Sequence, residues 1–407
     1  MMNKLAKSLL CIGAAAMLLA GCGEKEEVGG VIPPPPAAVE RSSSGAAPAA
    51  AETKSEEPAA PAAEAPAAAD TAKAEEPAAA ASGGGNVGVS MPTKDLQRWN
   101  QDGINIRDQL QGAGYEVDLQ FASNDVQTQI AQIENMVNNG CGCLVVAAID
   151  SESLGDVLGK AKSAGIPVIS YDRLIMGTDA VTYYATFDNY KVGTVQGTYV
   201  KDTLDLDNAE GPFNIEFTGG DPGDNNAGFF FNGAYDVLKP YIDEGKLVVK
   251  SGEQTFEKIA TAAWASETAQ ARAEKILAAN YSGEDVDVWL CSNDSTALGV
   301  ENALEASYKG KYPIVTGQDC DVANVKNMLA GKQAMSVFKD TRTLASKTVE
   351  IVDAVMKGTD APINDTKTYD NGTGVIPAFL CDPVFADANN YKSLLIDSGY
   401  YSEGDLQ

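Results

Sequence analysis

The sequence predicts an α/β fold with two doubly wound lobes and a cleft between them. From about residue 86 onward, short apolar segments rich in β-branched residues alternate with longer segments whose apolar residues recur at helical spacing. This alternation runs through one set of units and then restarts with a second set. Strand and helix units that alternate in this way are typical of parallel sheets covered by helices on both faces. Each set is therefore expected to form one lobe.

The first set of units begins and ends with a strand. The segment 166–171 is a short apolar run entered through Gly165 and Pro167, as expected for a buried parallel strand. The segment 126–137 carries Ile133 and Met136 at helical spacing. The strands expected in this set are 87–91, 117–121, 144–149, 166–171 and 182–187, and the helices are 95–113, 126–137 and 154–164.

The second set of units repeats the pattern and starts with a helix. The helices expected in this set are 190–203, 227–238, 266–279, 296–306 and 322–329, and the strands are 213–218, 247–250, 286–290, 314–316 and 335–338. Beyond it, the sequence predicts one more helix at 344–356 and one more strand at 375–380.

The first 22 residues are typical of a cleaved signal peptide. Lys4 and Lys7 precede an apolar run at 9–20, which is too short to span a bilayer as a stable helix. The run closes with Leu-Ala-Gly-Cys at 19–22, which resembles a lipobox and implies cleavage before Cys22 and acylation of that residue. An ordinary secretory signal with a chance cysteine is the alternative. No later segment is apolar enough to span a membrane, so we expect a protein that is anchored to a membrane without crossing it.

Residues 23–85 are predicted to be a disordered tether composed mainly of Ala, Pro and Glu. Four prolines stand in a row at 33–36, and almost no residue in the segment has apolar surface to bury. Its eleven acidic and four basic residues favour a solvated, extended chain. The expected role of this tether is to hold the folded region near the membrane.

Composition excludes several classes of function. The chain contains 57 acidic and 30 basic residues, a net charge of −27, and has no basic stripe, so nucleic acid and anionic lipid surfaces are not expected partners. The absence of histidine excludes Ser-His-Asp and Cys-His nucleophiles and zinc sites built on imidazole. Neither a dinucleotide-binding GxGxxG after the first strand nor a P-loop motif occurs. We expect no cofactor and no metal. A glycosidase acting through two carboxylates remains a minority alternative.

Five cysteines remain once Cys11 and Cys22 are assigned to the signal peptide and the lipid anchor. An odd number in an exported protein is not typical of a disulfide framework. We expect these residues to be buried and to act as small apolar side chains, although Cys141-Gly-Cys143 superficially resembles a metal or redox pair. The five residues are Cys141, Cys143, Cys291, Cys320 and Cys381.

Polar side chains follow four of the predicted strands, at the point where each strand ends. In open α/β sheets, ligands bind just outside the carboxyl ends of the strands, so these side chains predict one polar site. The alternative is that each pair merely caps the following helix. The four groups are Asp172-Arg173, Ser292-Asn293-Asp294, Gln318-Asp319 and Lys339-Asp340.

Two tryptophans are candidates for the apolar part of that site. A neutral sugar presents hydroxyl groups around its ring and C–H groups on its faces, so its site needs planar polar groups and an aromatic ring. Trp99 lies between Arg98 and Asn100 at a polar helix start, where we expect a partly exposed ring. Trp264, just before a helix, is the second candidate, whereas Trp289 is expected in the core.

Several motifs together carry a family resemblance that covers essentially all of 86–407. The motifs are Tyr171-Asp172-Arg173-Leu174, Thr186-Phe187-Asp188-Asn189, Asp224-Asn225-Asn226, the segment 292–299, Thr316-Gly317-Gln318-Asp319 and Phe338-Lys339-Asp340-Thr341-Arg342. They resemble the type I periplasmic sugar-binding proteins of bacterial ABC importers, the group that includes the ribose-, xylose- and galactose-binding proteins. The segments 237–243 and 364–372 are similar to the multiple-sugar-binding branch of this group.

The resemblance implies the arrangement of the lobes. Two Rossmann-like lobes would be joined by three hinge crossovers, near 188–189, 339–340 and 360–370. The N-terminal lobe would then comprise 86–189 and 340–365, and the C-terminal lobe 190–339 and 366–407, with the strand at 375–380 in the second lobe.

The resemblance also implies the residues that contact the sugar. Those of the first lobe are Arg98, Trp99, Asp172 and Arg173, and those of the second lobe are Asn225 or Asn226, Trp264, Asn293, Asp319 and Lys339.

The resulting hypothesis is binding without chemistry. We expect a monomeric, lipid-anchored extracytoplasmic receptor that binds a monosaccharide, an aldose such as glucose, galactose, xylose or arabinose, by lobe closure. The closed form would deliver the sugar to an ABC importer permease. A sensor that presents the closed form to a membrane kinase or chemoreceptor is the alternative.

Overall fold

The computed structural model describes residues 85–407. The predicted signal peptide, the lipidation site Cys22 and all of the tether except Gly85 lie outside the described residues. Within 85–407, no helix combines the length and the apolar character that crossing a membrane requires.

The first lobe contains a six-stranded parallel sheet with the strand order β11-β5-β4-β3-β1-β2. Helices cover both faces of this sheet, as predicted. Its first part runs through β1 (Asn86–Met91), α1 (Gln97–Gly112), β2 (Glu116–Phe121), α2 (Val126–Asn138), β3 (Cys143–Val146), α3 (Gly155–Ser163), β4 (Val168–Tyr171) and β5 (Val181–Phe187).

The second lobe contains a four-stranded parallel sheet, β7-β6-β8-β9, and an antiparallel pair, β10-β12. A parallel bridge between Gln318 and Val337 joins the two sheets. The elements before the chain leaves this lobe are α4 (Asn189–Thr203), β6 (Phe213–Thr218), α5 (Asn225–Asp243), β7 (Leu247–Val248), α6 (Phe256–Ile259), α7 (Ser266–Asn280), β8 (Val288–Cys291), α8 (Asp294–Ser307), β9 (Ile314–Val315), α9 (Val322–Leu329) and β10 (Met335–Phe338).

The last part of the chain crosses between the lobes twice more. The helix α10 (Thr341–Lys357) returns to the first lobe and packs against α1 and β5. The strand β11 (Ala378–Cys381) follows, then β12 (Val384–Asp387) and a π-helical turn at Lys392–Ile396 in the second lobe. The lobes are therefore joined by three crossovers, which follow β5, β10 and β11.

The third crossover lies later than expected, and the assignment of 366–381 to the second lobe was wrong. Strand β11 extends the first sheet in parallel register with β5, pairing Ala378 with Tyr184. Tyr369 and Ile376 pack in the apolar core of the first lobe. The crossing therefore takes place at about 382–383, where β11 ends at the hinge and β12 begins.

Several element boundaries also differ from the expectation. The helix α5 continues through Pro240 to Asp243, and β3 ends at Val146. The sequence patterns did not predict β12, α6 or the turn at Lys392–Ile396. The prediction that Trp289 is a core residue is confirmed, since its side chain is fully buried.

The five cysteines of the described region are all free and buried, which confirms the expectation. Burial raises the pKa of the Cys143 and Cys381 thiols to about 12. At neutral pH these two thiols are therefore protonated and act as small apolar side chains.

The C-terminal segment connects the two lobes beside the cleft. The Tyr401 hydroxyl accepts hydrogen bonds from the Nε2 atoms of Gln97 (2.7 Å) and Gln101 (3.2 Å), both on α1 of the first lobe. The same hydroxyl donates to the Cys320 carbonyl oxygen of the second lobe at 2.9 Å. The ring of Tyr400 packs against Phe338 with 4.8 Å between centroids.

One buried carboxyl group in the second lobe predicts a pH-dependent stability. Burial raises the pKa of Glu301 on α8 to about 7, although Asn327 donates a hydrogen bond to it. Because the folded-state pKa lies above the unfolded value, stability is lost as the pH rises from about 4.5 to 7. In Glu301→Gln this loss is absent. The difference in unfolding free energy, variant minus wild type, is therefore expected to increase by about 2 kcal/mol from pH 5 to pH 8. Urea denaturation at the two pH values measures it.

Glu305 provides the matched control for this prediction. It lies on the same helix but is exposed, where it pairs with Lys332. Because exposed ion pairs contribute roughly 0–1 kcal/mol, the difference between Glu305→Gln and the wild type is expected to change by less than about 1 kcal/mol between pH 5 and pH 8. An equally small change for Glu301→Gln would contradict the assignment of a raised pKa to Glu301.

Candidate functional site

The polar strand ends of both lobes meet at one cavity between the two sheets. The space inside it, counted together with the solvent-open space at its mouth, is about 420 Å³. The prediction that the strand ends form one site is therefore supported by geometry. The residues lining the cavity are Leu96, Arg98, Trp99, Arg173, Asp224, Phe230, Trp264, Asn293, Ser295, Gln318, Asp319, Asp321 and Lys339.

Arg98 is the central cation of the site. It lies in the first turn of α1, and its guanidinium group contacts three carboxylates. Nε donates to Asp102 at 2.9 Å, Nη1 donates to Asp319 of the second lobe at 3.2 Å, and Nη2 donates to Asp172. Since each carboxylate contacts a different nitrogen, the orientation of the guanidinium plane is fixed.

Asp172 follows β4 in a left-handed backbone conformation, with φ of 58°. This turn directs its carbonyl oxygen toward three donors, the hydroxyls of Tyr184 (2.6 Å) and Thr186 (2.9 Å) and Nδ2 of Asn226 (2.6 Å). Burial alone would raise the pKa of Asp172, but Arg98 and Lys339 hold it below its ordinary value. Asp172 therefore stays ionised and anchors Arg98, although it does not itself line the cavity.

Lys339 and Asp319 form the second-lobe side of the charge network. Lys339 follows β10 and is buried, with Nζ 3.1 Å from Asp319 and 3.9 Å from Asp172. Nζ also lies 5.5 Å from the centroid of the Phe230 ring. The ammonium group is thus held between carboxylates and an aromatic face, both of which stabilise a buried cation.

Trp99 lines the cavity with its ring between two guanidinium groups. The Arg98 group lies 5.4 Å and the Arg173 group 5.0 Å from the ring centroid. The ring is only 4% exposed, so the expectation of a partly exposed ring was wrong. The two arginines and the closely apposed second lobe cover it, and Arg173 is held by Asp224 of that lobe, with Nε 3.0 Å from Oδ2.

Trp264 lines the cavity from the second lobe, in a short 3-10 turn at Ala262–Trp264. The turn brings the indole ring against the backbone at Gly220, where a Cβ atom would lie 1.9 Å from the ring. Ser295 donates a hydrogen bond to the Trp264 carbonyl oxygen at 2.6 Å. Glycine at 220 is therefore required for this position of the ring.

The three predicted asparagines occupy different positions. Asn293 lines the cavity and caps α8, where its Oδ1 accepts from the Thr296 N–H at 2.9 Å. Asn226 holds the Asp172 carbonyl across the lobes and does not line the cavity. Asn225 also lies outside the lining, and its N–H donates to the Ser151 hydroxyl at 3.3 Å.

Five polar or aromatic residues that line the cavity were not among the predicted sugar contacts. They are Asp224, Phe230, Ser295, Gln318 and Asp321. Gln318 was already part of a predicted polar strand end, and the same rule could have selected Asp321, two residues after Asp319. Phe230 lies inside α5 and carries no such signal.

The arrangement suits a neutral polyol. The cavity combines planar guanidinium, carboxylate and amide groups with two indole rings, which complement ring hydroxyls and C–H faces respectively. Each cation in its wall is already paired with a carboxylate. The described residues around it hold no histidine and no group of side chains arranged to bind a metal ion.

Comparison with known proteins identifies the family. A model described as a periplasmic binding protein domain matches residues 87–360. The multiple sugar-binding periplasmic protein SbpA of Azospirillum brasilense is 51% identical over 325 residues, which cover 79% of this chain and 91% of that protein. The D-xylose-binding periplasmic protein of Escherichia coli is 35% identical over 320 residues, which cover 79% and 92%.

A solved structure agrees with these relatives. An ABC transporter solute-binding protein from Clostridium phytofermentans, crystallised with β-D-glucose, is 69% identical and superposes with a TM-score of 0.78. The match covers 79% of this chain and 100% of that chain. The resemblance inferred from the sequence motifs is confirmed, and so is the prediction of a binding protein in place of an enzyme. The chain belongs to the periplasmic binding protein family, with its type I fold, and is a relative of the multiple-sugar-binding and xylose-binding receptors.

Proposed function

We propose that this protein is an extracytoplasmic receptor that binds one aldose monosaccharide between its lobes and delivers it to an ABC importer. The observation that carries the proposal is the interlobe network of Arg98, Asp319 and Lys339, set between the indole rings of Trp99 and Trp264. The β-D-glucose in the Clostridium phytofermentans structure and the D-xylose named for the Escherichia coli relative support an aldose ligand.

Lobe closure explains how such a site works without chemistry. Arg98 on the first lobe donates a hydrogen bond to Asp319 on the second. Asn226 on the second lobe donates one to the Asp172 carbonyl oxygen on the first. A sugar that contacts both lobes favours the closed form by its differential affinity. The importer permease would then recognise the two lobes in their closed arrangement.

We further propose that the receptor is held at the membrane by a lipid on Cys22, through the tether at 23–85. The sequence of the first 22 residues supports this proposal. Metabolic labelling with a radioactive fatty acid is expected to label the wild type and not Cys22→Ser. Equal labelling of the two proteins would refute the anchor and leave the sugar site unaffected.

Calorimetric titration of the purified protein tests the sugar proposal. D-glucose, D-galactose, D-xylose, L-arabinose and D-ribose are titrated singly, and at least one is expected to bind saturably at 1:1 with micromolar or tighter affinity. D-glucuronate is the matched control, since its carboxylate would meet Asp224, Asp319 and Asp321 in a cavity whose cations are already paired. It is expected not to bind. Absence of binding for all five neutral sugars would refute the proposed function.

A further inference from the structure

Asp321 is a cavity carboxylate to which neither the fold nor the charge network gives a role. It stands at the N-terminus of α9, but its side chain makes no capping hydrogen bond there. Only its backbone is engaged, since its N–H donates to Oδ2 of Asp294 at 2.8 Å. The side chain can therefore be replaced without removing a contact that holds the helix.

The Oδ1 atom of Asp321 is buried and lacks a hydrogen-bond partner among residues 85–407. The same is true of Oε1 of Gln318, whose amide nitrogen is occupied by the Ser292 carbonyl oxygen at 3.1 Å. Both residues line the cavity. A buried acceptor that lacks a donor costs about 1–3 kcal/mol, so a ligand that supplies donors to this part of the wall is favoured.

The two cations that act on Asp321 are bonded to Asp319 instead. Burial and the neighbouring Asp319 raise the pKa of Asp321 to about 7, against the opposing effect of Arg98 and Lys339. Arg98 Nη1 and Lys339 Nζ lie 3.2 and 3.1 Å from Oδ1 of Asp319. Among the described residues, Asp321 forms no ion pair. A sugar hydroxyl can donate to Asp321 and Gln318, whereas a ligand carboxylate or ether oxygen cannot.

We propose that Asp321, with Gln318, determines the specificity of the sugar site by accepting hydrogen bonds from hydroxyl groups at one end of the ring. The inference rests on the proposed function, because the ligand is taken to be an aldose. According to this inference, Asp321 and Gln318 are the residues that reject sugars which are deoxygenated, O-alkylated or carboxylated at the ring positions facing these two side chains.

The test combines replacement of one protein side chain with removal of one sugar hydroxyl at a time and compares the resulting affinities. The tightest-binding of the five sugars and each of its monodeoxy analogues are titrated into the wild type, Asp321→Ala and Asp321→Asn. We expect Asp321→Ala to lower affinity for the parent sugar by about tenfold. At one ring position, removing the hydroxyl is expected to weaken binding at least about tenfold in the wild type but less than about twofold in Asp321→Ala.

The other variants exclude trivial explanations. Asp321→Asn keeps the shape and a neutral acceptor, so its affinity is expected to lie between the wild type and Asp321→Ala. Asp202→Asn changes an exposed carboxylate of the same lobe and is expected to match the wild type. Cooperative thermal unfolding of both Asp321 variants, at or above the wild-type unfolding temperature, shows that the fold is intact.

Two results would overturn the inference while leaving the proposed function standing. One is wild-type affinity of Asp321→Ala for the parent sugar and all its analogues. The other is an equal loss for the parent and every analogue, which would show that Asp321 acts on the shape of the cavity and contacts no particular hydroxyl. If the wild type binds none of the five sugars, both proposals fall.

Discussion

Replacing Arg98 with methionine is expected to lower the free energy of unfolding by about 3–5 kcal/mol at pH 8, the usual cost of leaving buried charges without a partner. Arg98 is itself buried and contacts Asp102, Asp172 and Asp319. Methionine keeps much of the side-chain volume but contributes no charge. Urea denaturation of the variant and the wild type measures the difference.

The same variant is expected to be less impaired at pH 5. Burial already raises the pKa of Asp102 to about 6 in spite of Arg98, and Arg98 is the main group that holds the pKa of Asp172 low. Without the guanidinium group both pKa values rise, so a larger fraction of these carboxyl groups is protonated at pH 5 than at pH 8, where their ionised forms are buried at a cost. The stability deficit therefore grows as the pH rises.

Arg107 on the same helix is the matched control for Arg98. Its partly exposed guanidinium pairs only with Asp108, which is also exposed, and such pairs contribute roughly 0–1 kcal/mol. Arg107→Met is expected to stay within about 1 kcal/mol of the wild type at both pH values. An Arg98→Met protein as stable as Arg107→Met would show that the buried network does not need its central cation.

Replacing Asp319 with asparagine is expected to weaken sugar binding by about 100-fold or more. Asp319 lines the cavity and pairs with Arg98 on the opposite lobe and with Lys339 on its own. Charge-assisted hydrogen bonds contribute roughly 1.5–3 kcal/mol each, and the substitution weakens both the interlobe bond to Arg98 and the bond that this carboxylate would accept from a sugar hydroxyl. Calorimetric titration with the best-binding sugar measures the loss.

The fold is expected to survive this substitution. Asp319 has a φ of 98°, which asparagine tolerates better than most residues, and Arg98 keeps Asp102 and Asp172 as partners. Asp236→Asn, at an exposed position on α5, is the control and should bind sugar as the wild type does. Equal affinities for Asp319→Asn and this control would exclude Asp319 from the sugar site.

One rule accounts for most of the cavity-lining residues that the sequence predicted. Parallel strands end at the same edge of a sheet, so polar residues that follow the strands converge wherever the sheet is placed. Arg173, Asn293, Asp319 and Lys339 were found in this way, and all four line the cavity. Periodicity also located the helices and strands of both lobes, apart from α6, β12 and the turn at Lys392–Ile396.

The errors arise where long-range contacts decide the outcome. Nothing local in 375–380 tells which sheet edge the strand joins, and its pairing with β5 is set by packing of Tyr369 and Ile376. Asn225 and Asn226 are neighbours in sequence, yet helix geometry turns only Asn226 toward Asp172. The burial of Trp99 depends on Arg173 and Asp224, which come from different lobes.

Tyr401 bridges the two lobes, so the C-terminal segment contributes to how the lobes are held relative to each other. Its hydroxyl joins α1, which carries Arg98, to the Cys320 carbonyl, one residue after Asp319. The last residue, Gln407, is held in place by a hydrogen bond from Lys326 to its carbonyl oxygen at 2.8 Å. An affinity tag or fluorescent fusion attached here would disturb the segment that forms this bridge, so probes of ligand binding belong at exposed surface positions away from it.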